Sequence, residues 1–167
     1  TNPALWNGWK HLLLKDLYLL TRSKINKEPM KASSQISIER QKNVFDSLDT
    51  KEEKEFITHH FKNFEDNYFN KNSSSSLLWQ SKLILKNKDN EFVIGCKQKF
   101  NDLIEIFVKV DDSPGLFYKL VHIFDRAGLE IIDASIFTSK DNQFAANTFI
   151  TKFSRQDRVL NLSLIHI

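Results

Sequence analysis

The stretch Asp111-Asp112-Ser113-Pro114-Gly115-Leu116-Phe117 decides how this chain folds. Immediately before it, Ile104, Ile106, Val108 and Val110 fall on one face of an extended run and Glu105, Phe107 and Lys109 on the other. That period of two predicts a half-buried strand over residues 103–110. Immediately after it the period changes to that of a helix, with Leu116, Leu120, Ile123, Phe124 and Ala127 on the inner side. Asp112 and Ser113 can cap such a helix, Pro114 suits its first turn, and Gly115 lets main-chain amides meet another molecule without a Cβ in the way. Gly128 suits a left-handed cap at the helix end.

Working outward, residues 129–138 read as a strand in which Ile131, Asp133, Ser135 and Phe137 alternate with Ile132, Ala134 and Ile136. Lys140-Asp141-Asn142 makes a turn, and residues 144–153 return as another strand. On the other side, residues 92–97 form a strand joined to 103–110 by a polar turn containing Asn101-Asp102. Everything earlier is helical. Leu5, Trp6, Trp9, Leu13, Leu17 and Leu20 predict a long amphipathic helix over 4–27, and Ile38, Phe45 and Leu48 the buried side of a second over 34–48. Thr50-Lys51-Glu52-Glu53 has the spacing of a capping box and opens a third helix reaching Phe69, with Ile57, His60, Phe61, Phe64 and Tyr68 facing inward. His59 and His60 diverge by about 100° on a helix, so one is surface, the other core, and they do not chelate together. Residues 73–76, all serine, cap a fourth helix over 77–87.

Composition narrows the class. The chain has 167 residues, 41% hydrophobic and 27% charged, with four Gly and three Pro, which excludes disordered and collagen-like classes. No apolar run approaches the roughly 18 residues of a membrane span, so a soluble protein is expected. A single cysteine, Cys96, allows no internal disulfide, which makes the cytoplasm the default compartment. The net charge of +3 comes wholly from residues 1–91, with 15 basic and 12 acidic side chains against nine of each thereafter. That is too weak a field to imply nucleic acid.

The order strand, helix, strand, strand, with Asp-x-Pro-Gly-Leu-Phe and then Ala127-Gly128-Leu129 thirteen residues after Gly115-Leu116, resembles the opening of an ACT domain over 103–158. That family implies a ferredoxin-like βαββαβ module binding small effectors at its first strand-to-helix loop. The fold class expected is therefore α+β, a helical segment over 1–88 followed by a truncated βαββ ACT domain over 89–161. Thr1-Asn2-Pro3, Leu5-Trp6-Asn7, Trp9-Lys10, Leu13-Leu14 and Leu17-Tyr18 further resemble the segment after the HD domain in the bifunctional PII uridylyltransferase and uridylyl-removing family. Tyr68-Phe69 before a polar break, Ile136-Phe137-Thr138 and Thr148-Phe149-Ile150 agree with it.

This resemblance implies a regulatory piece of a nitrogen sensor. The parent family transfers UMP from UTP to a tyrosine of the PII signal protein when glutamine is low, removes it when glutamine is high, and uses magnesium. The effector residues implied are Asp112, Ser113, Pro114, Gly115 and Leu116, with the ligand carboxylate on the amides of Gly115 and Leu116 and its ammonium near Asp112. Neither Gly-Ser nor His-Asp occurs as a dipeptide, so no catalytic residue, metal site or cofactor is expected in this chain. Asn147 stands where the family usually has Asp. The alternative is an unrelated amino-acid-binding ACT regulator. Residues 162–167, Leu-Ser-Leu-Ile-His-Ile, resemble translated sequencing adapter, and the chain reads as a piece of a longer protein. In the usual 4-1-3-2 strand order a missing last strand would leave 104–110 at an edge, and residues 92–97 are expected to pair there as an antiparallel hairpin.

Overall fold

A computed structural model describes residues 33–100 and 102–154, together with Leu17, Tyr18 and Thr21. Most of the helix expected over 4–27, and residues 155–167, lie outside the described residues. From Ser33 on, the described residues form the helices α1 (Ser33–Asp46), α2 (Lys51–Lys62), α3 (Asp66–Lys71) and α4 (Ser74–Lys86). Then follow β1 (Val93–Gln98), β2 (Ile104–Asp111), α5 (Leu116–Arg126), β3 (Leu129–Thr138) and β4 (Phe144–Phe153).

The four strands form one antiparallel sheet in the order β1-β2-β4-β3. β1 pairs with β2 from Val93 opposite Lys109 to Gln98 opposite Ile104. The expected hairpin therefore exists, and β1 occupies the position that the last strand of a complete ferredoxin-like module would take. Both hairpin turns use a left-handed residue, Asp102 at φ 60° and Asn142 at φ 56°, side chains that tolerate this region by bonding locally.

β2 is not half-buried as its alternation suggests. Glu105 and Phe107 are as deeply covered as Ile106 and Val108, because each face of the sheet carries a helical layer. Phe107 and Ala146 join Ile57, Phe61, Tyr68 and Leu77 in the core beneath α1 to α4. Ile106, Val108 and Phe149 pack with Leu120 and Phe124 beneath α5. Ile123 is 57% exposed and Ala127 is also outside, so α5 buries a narrower stripe than expected. β3 departs from strict alternation too. A bulge between Ile131 and Asp133 places Ile131 and Ala134 together on the α5 side and sends Phe137 to the other core, as one extra residue reverses every side chain beyond it.

The helices follow their local signals at their starts. Thr50 and Glu53 form the complete capping box, and Ser73 Oγ accepts from the Ser76 N–H. His60 is buried and His59 exposed. The single helix expected over 50–69 is instead α2 and α3, because the N–H groups of Asn63 and Phe64 bond back only three residues and tighten the chain out of the α-helix. The break stacks Phe64 on Tyr68, centroids 4.2 Å apart. On α1 the expected Ile38 is 66% exposed, while Ser37 and Val44 are buried. Arg40 decides that rotation. Its guanidinium donates to the carbonyls of Phe69, Asn70 and Asn72 at 2.7 to 2.8 Å, satisfying the open end of α3.

Candidate functional site

The loop joining β2 to α5 is fixed by the opposite hairpin. The Asp112 N–H donates to the Gln143 carbonyl at 3.0 Å, and Thr138 Oγ1 donates to Asp112 Oδ2 at 3.3 Å. The Leu116 N–H donates to the Ser113 carbonyl at 3.0 Å, closing a four-residue turn with Pro114 at its second position. Gly115, at φ 77°, is the N-cap of α5, and no side chain caps that end. The expected capping by Asp112 and Ser113 is thus absent: the Asp112 carboxylate is turned toward Thr138. The Leu116 amide, expected to meet a ligand, is already used inside the turn. Residues 112–115 are exposed and Leu116 is half-buried against the α5 core. A Cβ on Gly115 would meet nothing within 4 Å, so the loop fronts open space.

Under α5 lies Asn147, between Val108 and Ile136 in the sheet register. It is 1% exposed, and its Oδ1 has no hydrogen-bond partner among the described residues. A buried acceptor left open costs about 1–3 kcal/mol. Two residues on, Phe149 receives Phe117 at 6.3 Å and Phe124 at 4.8 Å between ring centroids, which seats the helix directly over this strand. The position was marked in the sequence by its departure from the family residue; its burial came only with the register.

The helix-facing side carries a polar knot. Gln80 Oε1 accepts from Tyr68 Oη at 2.8 Å, and its Nε2 donates to Asn72 Oδ1 at 3.2 Å and Thr148 Oγ1 at 3.0 Å. Burial raises the Tyr68 phenol far above its ordinary value, so it stays a donor. Nearby, the 1% exposed carboxylate of Glu105 accepts from Ser76 Oγ at 3.0 Å and pairs with Lys99 at 2.9 Å and Lys97 at 3.5 Å. Desolvation lowers the Lys97 ammonium while Glu105 opposes that shift. α3, α4, β1, β2 and β4 are therefore tied by hydrogen bonds as well as by apolar contact. Among the described residues no group of three or more His, Cys, Asp or Glu is placed to hold a metal ion, and no helix is long and apolar enough to cross a membrane.

A sheet with one face under a helical segment and the other under a single helix, opening at an uncapped helix start, has the architecture of a helical segment joined to a ferredoxin-like module. Known proteins with this sequence pattern are consistent in kind. The chain is 30% identical over 158 residues to the bifunctional uridylyltransferase/uridylyl-removing enzyme of Acinetobacter baylyi, covering 90% of this chain and 18% of that protein. It is 29% identical over 177 residues to the enzyme of the same name from Aliivibrio fischeri, covering 95% and 19%. With that of Burkholderia lata it is 26% identical over 166 residues, covering 98% and 19%. Over the residues it spans, the chain belongs to this family, and it corresponds to about a fifth of the length of these relatives. No protein-family model matches it, and no solved structure does.

Proposed function

We propose that this chain is the effector-sensing part of a bifunctional uridylyltransferase/uridylyl-removing enzyme. In this reading the parent moves UMP between UTP and the PII signal protein with magnesium, in a part of the protein other than these residues, and the β2–α5 loop reports glutamine to it. The observation that carries the reading is the uncapped start of α5 beside the Asp112 carboxylate. A free amino acid needs a positive end for its carboxylate and an anion for its ammonium, and the α5 dipole and Asp112 supply the two within one exposed loop. Because the Leu116 amide serves the turn, the ligand carboxylate falls to the remaining first-turn amides.

Calorimetry with glutamine on the longer enzyme and on this chain tests the reading. Binding should weaken about tenfold or more in Asp112→Ala, the loss of one charge-assisted hydrogen bond. Undiminished binding in that variant would remove the loop from the site, and no binding to either protein would remove glutamine.

A further inference from the structure

At the end of the sheet away from the Lys99–Leu103 turn, α2 and α4 run out beside the start of β1 and leave a cleft. His59, His60, Asn63, Asn87, Lys88, Asn90 and Lys109 line it together with apolar side chains, and among the described residues no acidic one does. One of these groups is buried and one half-buried, and neither has a full set of polar partners among the described residues. His60 is 6% exposed, stacked on Phe144 at 5.4 Å and edge-on to Phe64 at 5.3 Å, and its Nε2 has no hydrogen-bond partner among the described residues. Lys109 is half-buried, its Nζ lies 4.6 Å from the Phe144 ring centroid, and among the described residues no carboxylate reaches it within ion-pair distance, although Asp111 two residues on acts on it from farther away.

We propose that this cleft binds a small monocarboxylate, held by Lys109 and Lys88 and accepting the Nε2–H of His60. An anion there would partner the half-buried ammonium and the open imidazole nitrogen at once. Asn87 Nδ2 already donates to the Leu83 carbonyl at 2.9 Å and Asn90 Nδ2 to Asn87 Oδ1 at 3.1 Å, so each of these two amides has one further hydrogen to offer. Burial, with Lys109 and His59 adding to it, holds the imidazole neutral, so Nε2 can carry a proton without bringing a second buried charge. The charge of the ligand is limited by the helices. α2 ends at the C-cap Asn63 and α4 at the C-cap Asn87, so both present their negative ends; that field opposes any anion, Lys109 and Lys88 offset it for a single charge, and a dianionic phosphate would meet it at twice the cost of a carboxylate. The site is separate from residues 112–116 and stands or falls without them.

The test is an NMR titration of the full 167-residue chain with sodium acetate, against sodium chloride and inorganic phosphate at matched ionic strength. Acetate should give saturable shifts at His60, Lys109 and the side-chain amides of Asn63, Asn87 and Asn90, with phosphate weaker and chloride without effect. Lys109→Met keeps the aliphatic stem against Phe144 and should weaken acetate about tenfold or more, as expected for one charge-assisted contact. Lys88→Gln, a change at an exposed position, should weaken it about threefold and keeps the test intact if the first variant does not fold. Acetate shifts no larger than those of chloride, or unchanged affinity in both variants, would overturn the site. Phosphate binding as tightly as acetate would overturn the ligand class.

Discussion

His60 is the residue with the largest consequence for how the molecule responds to acid. Burial first, then Lys109 and His59, push its pKa from 6.5 down to about 3. The unfolded chain therefore binds a proton that the folded chain refuses between those two values. Stability contributed by this group is complete above about pH 6.5 and drains as pH falls toward 3, at about 1.4 kcal/mol per pH unit. Urea melts of the chain and of His60→Phe between pH 4 and 7 should differ by that slope, the variant being flatter; parallel acid limbs would show that the imidazole is solvated. Gly115 gives a second residue-scale expectation. A methyl group there has open space but must accept φ 77°, so Gly115→Ala should cost about 1 kcal/mol in a denaturant midpoint and Gly115→Asn less.

Among the elements, α3 is too short at six residues to persist alone, and Arg40 closes its carbonyl end. Arg40→Met should cost about 2–3 kcal/mol, since it opens several carbonyl acceptors while keeping most of the side-chain volume. Loss of amide protection in hydrogen exchange should be largest in α3. By contrast Thr50→Ala removes one half of a capping box and should cost about 1 kcal/mol. These two sites also show what the sequence could disclose. Thr50, Ser73, Asn142 and Gly128 act on groups within a few residues, so their roles are readable from spacing. Arg40 acts across about thirty residues, and nothing near it announces a partner; Ile38, the more apolar neighbour, drew the helix face toward itself. The bulge after Ile131 is equally silent, because an extra residue looks like any other in an apolar run. The β2–α5 loop was visible through Pro114 and Gly115, whereas the turning of Asp112 to Thr138 depends on how a later hairpin registers with β2.

For the molecule as a whole, the shared core between the helices and the sheet is pinned at two polar points whose energetics differ. Glu105 is buried and its lysines are not, so the partner removed decides the penalty. Glu105→Gln keeps the Ser76 contact and frees two cations to water, and should cost about 1 kcal/mol. Removing Lys97 and Lys99 together strands a carboxylate in the interior and should cost about 3 kcal/mol or more. Equal losses in thermal denaturation would mean that Glu105 is hydrated. The Gln80 knot has no such asymmetry: its members are all neutral, and each saturates the next.

That knot also fixes what kind of motion the architecture permits. Gln80 on α4 reaches Tyr68, Asn72 and, across the layer, Thr148, so sliding the strands under the helices would rupture adjoining bonds together. The helical layer and the sheet are thereby joined by neutral side chains, so a shear between them meets several hydrogen bonds at once instead of apolar contact alone.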